Sequence, residues 1–129
     1  MEIAVKEGIE GVEEIVVGEG DLATAVGSGT VEVFATPSMA ALMERASWRL
    51  VQPYLPEGFT TVGMELSVTH LRATPPGMRV SCRAGLVRVN GKKLVFDLEA
   101  SDERGLIGKA NHTRYVVGKK RFEEKARQG

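Results

Sequence analysis

Few residues in this 129-residue chain are of types that do chemistry: two histidines, one cysteine, and the hydroxyls and carboxylates that could serve them. His70 closes the alternating run "TVGMELSVTH", and "LRATPPG", with two prolines and a glycine, forces a turn just beyond it. An imidazole at the end of an apolar row is either a hydrogen-bonded core histidine or a site residue. His112, in "IGKANHTRYVV", reads as structural. Thr36 precedes Pro37 where a helix opens, and as a residue type it reads as a helix cap. Glu44, eight residues on, falls outside the apolar arc of that helix, on a small and mostly uncharged strip with Ala40, Ser47 and Val51. Such a strip either meets solvent or takes a partner subunit. Cys82, inside the strand-like "RVSCRAGLVRV", reads as a small buried apolar residue rather than a nucleophile.

The elements that must position these residues follow from periodicity. Residues 9–17, "IEGVEEIVV", read as a first strand, and "GEGDLATAVGSGT" as a loop. "ATPSMAALMERASWRLVQPYLPEG" predicts a long helix over about residues 37–52. Its Met39, Leu42, Met43, Ala46 and Leu50 share one arc, and Pro53, Pro56 and Gly58 stop it. From residue 60 onward the chain reads as four long antiparallel strands in a meander. Val62, Met64, Leu66, Val68 and His70 fall on one face of the first, and "NG" at 90–91 marks a hairpin. Leu94, Phe96, Leu98 and Ala100 point inward from the next strand, and the tail "KKRFEEKARQG" reads as a frayed short helix.

The fold class is therefore α+β: one long helix packed on an antiparallel sheet of about five strands, within a single domain of residues 1–129. One helix covers only one face of such a sheet. Val87, Val95 and Ile107 read as apolar residues on the other, so a second subunit is expected, as a dimer or a dimer of dimers.

Composition excludes other classes. Apolar residues at 43% and charged residues at 26% suit a soluble globular chain. With 17 basic and 17 acidic residues the net charge is zero, which argues against nucleic acid and anionic membranes as partners. The short basic clusters Lys92-Lys93 and Lys119-Lys120-Arg121 read as a solvated hairpin tip and tail. One cysteine permits no internal disulfide, and two histidines on different strands make a poor zinc site, so no metal is expected. The acidic start lacks the marks of a signal peptide, and no apolar run reaches the roughly 18 residues of a membrane span. The expected location is cytoplasmic.

Four stretches in order carry a resemblance: "VFATPSMAALMERAS", "GMELSVTHLR", "ATPPG" and "IGKANHTRYVV". Over roughly residues 30–118 the chain resembles the fluoroacetyl-CoA thioesterase-like branch of hot-dog proteins. The resemblance implies a thioester hydrolase acting on an acyl-CoA, with catalytic Thr36, Glu44 and His70. Gly63 would offer a backbone N–H to the substrate carbonyl, and the site would form between two subunits. No cofactor is implied beyond the coenzyme A that is part of the substrate. These residue types suit the chemistry. A thioester has a good leaving group, so the work lies in delivering a nucleophile and stabilising the oxyanion.

The chain also departs from that branch. The fluoroacetyl-specific enzyme closes its site with aromatic side chains before the helix. Here "AVGSGTVEV" stands in that place, with no aromatic residue between Leu22 and Phe34. A larger or more loosely held acyl group is expected. The competing reading is a non-catalytic acyl-CoA-binding hot-dog dimer. A hydratase is disfavoured because Glu65 and Ile107 stand where its Asp-x4-His pattern would need aspartate.

Overall fold

Five strands, β1 (Glu10–Val16), β2 (Phe59–His70), β3 (Arg79–Asn90), β4 (Lys93–Asp102) and β5 (Gly105–Gly118), form one antiparallel sheet in the order β1-β3-β4-β5-β2. The one-turn helix α1 (Ala23–Val26) precedes the long helix α2 (Thr36–Val51), and α3 (Lys119–Gln128) follows β5. The computed structural model describes residues 3–129; Met1 and Glu2 of the acidic N-terminal stretch lie outside them. Among the described residues no helix is long and apolar enough to cross a membrane.

Strands β3, β4 and β5 make the expected meander, but β2 does not lie beside β3. It crosses to the far side of β5 and becomes a sheet edge. The physical cause is the connection over residues 71–78, which is too long for a hairpin and is anchored at the end of the sheet. There the Thr74 hydroxyl donates to buried Asp102 at 2.8 Å, and the Thr74 carbonyl accepts the Phe34 N–H at 2.8 Å. The β3–β4 turn also sits one residue off the Asn-Gly signal. Asn90 pairs with Lys93, and Gly91, at φ 62°, takes the first central position, as in a type II′ turn.

Helix α2 forms where its periodicity requires, and Met39, Leu42, Met43 and Ala46 are buried against the sheet. Each of the three larger side chains contributes about 1.5–3 kcal/mol on burial. A Cβ on Gly108 would stand 2.5 Å from Met39 Cε, so the glycine leaves room for the Met39 side chain to lie directly on β5. The buried stripe is wider than the sequence arc. Ser47 and Val51 are fully buried, whereas Leu50 is only half-buried. The strip beside Glu44 thus rests on the chain's own sheet.

The face of β2 is the larger correction. Gly63 pairs with Arg114 and Glu65 with Thr113, which leaves Met64 as the extra residue of a β-bulge. A single inserted residue reverses the alternation. Thr61 and Gly63 face the helix before it and Leu66, Val68 and His70 after it, while Met64 is 61% exposed. Val62 and Met64 therefore do not share His70's face.

Val87, 48% exposed, and half-buried Val95 lie on the outer face as expected, beside Arg83, Asp97, Glu99, Lys109 and Asn111, whereas Ile107 turns into the core. Open backbone along the β2 edge is where a further strand would add. Cys82 is buried, and burial pushes its thiol up to about 12, so it is the inert core residue its surroundings suggested.

Candidate active site

The chain begins α2 at Ala35, not at Thr36. Ala35 is the N-cap, no side chain caps the helix, and Thr36 and Pro37 are its first two residues. The Thr36 hydroxyl is free for another partner and meets His70 Nδ1 at 2.8 Å. Thr36 is exposed, and the pair opens onto a cavity of about 350 Å³ lined by Ala23, Ser28, Val33, Leu71 and Arg72. Among the described residues the Thr36 and Ser38 amides make no backbone hydrogen bond, so the helix start has free donors, and Thr36 itself lines that cavity.

Burial lowers the His70 pKa below the ordinary 6.5, and the backbone of Arg72 opposes this more weakly. His70 Nε2 is buried with no well-formed hydrogen bond. The neutral imidazole therefore dominates at pH 7, with Nδ1 placed to accept the threonine proton. Because the shift is downward, the acid limb of kcat/KM, which reports the free enzyme, should lie below pH 6.5. A limb above that value in a pH–rate profile would contradict a neutral His70 acting as base.

Glu44 belongs to a second cluster. Its Oε2 stands 3.8 Å from Arg114 Nη1, too long for a hydrogen bond but close enough for a charge pair. Arg114 is buried on the helix-facing side of β5. Its Nε donates to Thr61 Oγ1 at 2.8 Å, Nη2 to the Thr61 carbonyl at 3.0 Å and Nη1 to His112 Nε2 at 3.1 Å. The other ring nitrogen of His112, Nδ1, donates to the Glu65 carbonyl at 2.8 Å. These two bonds fix the neutral tautomer, and burial and the Arg114 charge lower its pKa against the opposing Glu65 carbonyl and Glu44 charge. His112 is thus structural, as its sequence context suggested, but it is also the seat on which Arg114 rests.

Gly63 completes this cluster. A Cβ there would stand 2.9 Å from Glu44 Oε2, 3.2 Å from Arg114 Nη1 and 3.3 Å from His112 Cε1. The glycine leaves room for the carboxylate to lie across the strand, and a side chain there would push the Glu44 carboxylate aside. Sequence reasoning missed Arg114 as a partner of Glu44. The signal was the i, i+2 spacing of His112 and Arg114, which puts both on one strand face.

The expected convergence does not occur within one chain. Thr36 meets His70, and Glu44 meets Gly63, but the two halves are held apart. Eight residues along α2 separate Thr36 from Glu44 by about 12 Å, and Gly63 and His70 lie about 20 Å apart along β2. The helix runs antiparallel to β2, with the Thr36–His70 pair at the helix start and Glu44 near its middle.

A sheet curled on one central helix is the hot-dog fold, and a hydroxyl paired with an imidazole at the helix start supplies the parts of a nucleophile and its base. Residues 17–120 match the sequence profile of the fluoroacetyl-CoA-specific thioesterases, FlK. A fluoroacetyl-CoA thioesterase of Streptantibioticus cattleyicolor is 42% identical over 97 residues, covering 75% of this chain and 70% of the relative. A threonine-to-serine variant of FlK in complex with acetyl-CoA is 33% identical, with a TM-score of 0.91 over 96% of this chain and 98% of that one. A thioesterase superfamily member of Thermus thermophilus is 30% identical, with a TM-score of 0.88 over 95% and 91%. This chain belongs to the fluoroacetyl-CoA-specific thioesterase family, and it is a thioester hydrolase.

Proposed function

We propose that this chain hydrolyses acyl-CoA thioesters at a site completed by a second copy of itself, with Thr36 as nucleophile, His70 as its base and Glu44 of the other copy as the group that activates water. The observation that carries this reading is the 2.8 Å contact between an exposed helix-start hydroxyl and a neutral imidazole beside an open cavity.

Geometry along β2 supports the second copy. With Met64 as the extra residue of the bulge, Gly63 and His70 each lie three paired positions from Ser67. Two β2 edges paired antiparallel about that point put His70 of one copy opposite Gly63 of the other. Opposed residues point to the same face, so Thr36 and His70 would meet the other copy's Glu44, held there by its own Arg114.

In the reaction, Thr36 Oγ1 attacks the thioester carbonyl carbon and passes its proton to His70 Nδ1. The Thr36 and Ser38 amides hold the oxyanion, with Gly63 of the other copy as a further donor. The C–S bond then breaks and the leaving thiolate takes the proton from His70. Water, deprotonated by Glu44, attacks the threonine ester; the bond to Thr36 Oγ1 breaks, the free acid leaves, and the proton on Glu44 restores the hydroxyl.

On the segment before α2 the acyl group faces mainly small side chains: Ala23, Ser28 and Val33 line the cavity together with Phe34, the aromatic residue there, of which only 1% is exposed. Acyl groups larger than fluoroacetyl therefore fit. A panel of fluoroacetyl-, acetyl-, branched, aryl and long-chain acyl-CoA esters, assayed for free thiol, tests this. The expected result is turnover with kcat/KM highest for a group larger than two carbons. Turnover confined to fluoroacetyl-CoA would overturn the size argument, and tight binding without turnover would replace the enzyme with a binding protein.

A further inference from the structure

The two basic clusters that read as a separate hairpin tip and tail come together in the fold. Lys92 accepts the Val116 N–H at its carbonyl, 2.9 Å away, which sets the β3–β4 turn beside the end of β5 where α3 begins. Between them lies a groove of about 650 Å³. Phe59, Val116 and Phe122 form its apolar lining, and Lys92, Arg121 and Lys125 stand around it. Phe122 is 42% exposed on a helix whose sequence, "KKRFEEKARQ", otherwise consists of charged residues, one glutamine and one alanine. Residues 119–127 carry five cations against two carboxylates, and one of those, Glu123, is held by Lys119 at 2.8 Å. Among the described residues Lys92, Arg121 and Lys125 enter no ion pair.

We infer that this groove binds the 3′-phosphorylated adenosine diphosphate end of the acyl-CoA substrate, the phosphates on Lys92, Arg121 and Lys125 and the adenine against Phe122 and Phe59. Aromatic rings beside unpaired cations suit a flat heterocycle carrying several phosphates. In an overall neutral chain, positive charge is concentrated around this apolar floor. The placement also fits the reaction. Phe59 lies on the helix-facing side of β2, four residues from Gly63, about 13 Å along the strand. The pantetheine arm links those two points, with the thioester at the Gly63 end. The inference rests on the thioesterase reading for its substrate, but the groove can be probed without turnover.

The test compares the parent with a Lys92→Ala/Arg121→Ala/Lys125→Ala triple variant and with Phe122→Ala, on an acyl-CoA and on the matching acyl-pantetheine, which lacks the nucleotide. The triple variant should raise KM for the acyl-CoA at least about tenfold, equivalent to about 1.4 kcal/mol, with kcat unchanged. KM for the acyl-pantetheine should not move. Calorimetry with adenosine 3′,5′-bisphosphate should show binding to the parent and none to the triple variant. An unchanged KM, an equal rise for both thioesters, or no bisphosphate binding to the parent would overturn the assignment. So would a defect seen only with a thioester on an acidic carrier protein, which would make the groove a protein-docking surface. If the parent hydrolyses neither thioester, the enzyme reading fails, and the bisphosphate titration alone still decides the groove.

Discussion

His70→Ala and Glu44→Ala should each lower kcat for thioester hydrolysis by roughly 10²–10⁴, the usual contribution of a positioned acid or base. Thr36→Ala should lose activity to a similar degree, while Thr36→Ser keeps the hydroxyl and most of the rate. Stability separates these effects from simple damage. Thr36 makes no helix cap, since Ala35 holds that position, so Thr36→Ala should not show the roughly 1 kcal/mol cost of a lost cap. Its hydroxyl is exposed, and the partner left behind is an imidazole able to meet water in the adjoining cavity. Stopped assays with purified variants, together with thermal melts, check both points. Parental kcat in His70→Ala and Glu44→Ala would remove these residues from the mechanism.

The second large effect is on stability. Arg114→Ala should destabilise the fold by roughly 2–4 kcal/mol, because it strands His112 Nε2 and the Thr61 carbonyl in a buried setting. The Glu44 charge pair adds little to this figure, since Glu44 is 45% exposed and the pair is 3.8 Å long. For a chain of this size the melting temperature should fall by about 10 °C. Arg114→Lys should recover only a small part, because an ammonium cannot reach Thr61 and His112 together as the planar fork does. Both variants should also lose activity as Glu44 loses its support. A melting temperature within 2 °C of the parent would contradict the role given to this arginine, taking about 4 °C per kcal/mol.

What could be read from the sequence divides along physical lines. The long helix was legible because Met39, Leu42, Met43 and Ala46 repeat with helical period, and burial follows that period. The strands were legible in extent, from alternation and turn residues. The face of β2 was not, because a bulge at Met64 leaves no mark in composition yet reverses every side chain beyond it. Strand order was not legible either. It depends on where the 71–78 connection is anchored, and Asp102, which anchors it, comes 28 residues after Thr74, at the end of β4.

At the site, the types Thr36, Glu44 and His70 were visible, but their grouping was not. A threonine before a proline looks like a cap, and only the structure shows that its hydroxyl goes to His70 instead. Arg114 escaped notice because its importance comes from four contacts made through tertiary packing. The basic groove likewise needed the fold, which joins Lys92 to a helix nearly thirty residues later.

The central claim is that each site takes Thr36 and His70 from one copy and Glu44 from another, since one chain holds them apart. Hybrid complementation measures this directly. His70→Ala and Glu44→Ala chains, each inactive alone, are co-expressed with different affinity tags, mixed dimers are isolated through both tags, and free thiol release is followed. In a hybrid dimer one composite site lacks both groups and the other is intact, so purified hybrids should show about half the parental activity, as two-fold symmetry requires. Hybrids as inactive as either single variant would contradict the account, because every site would then draw Glu44 and His70 from the same chain.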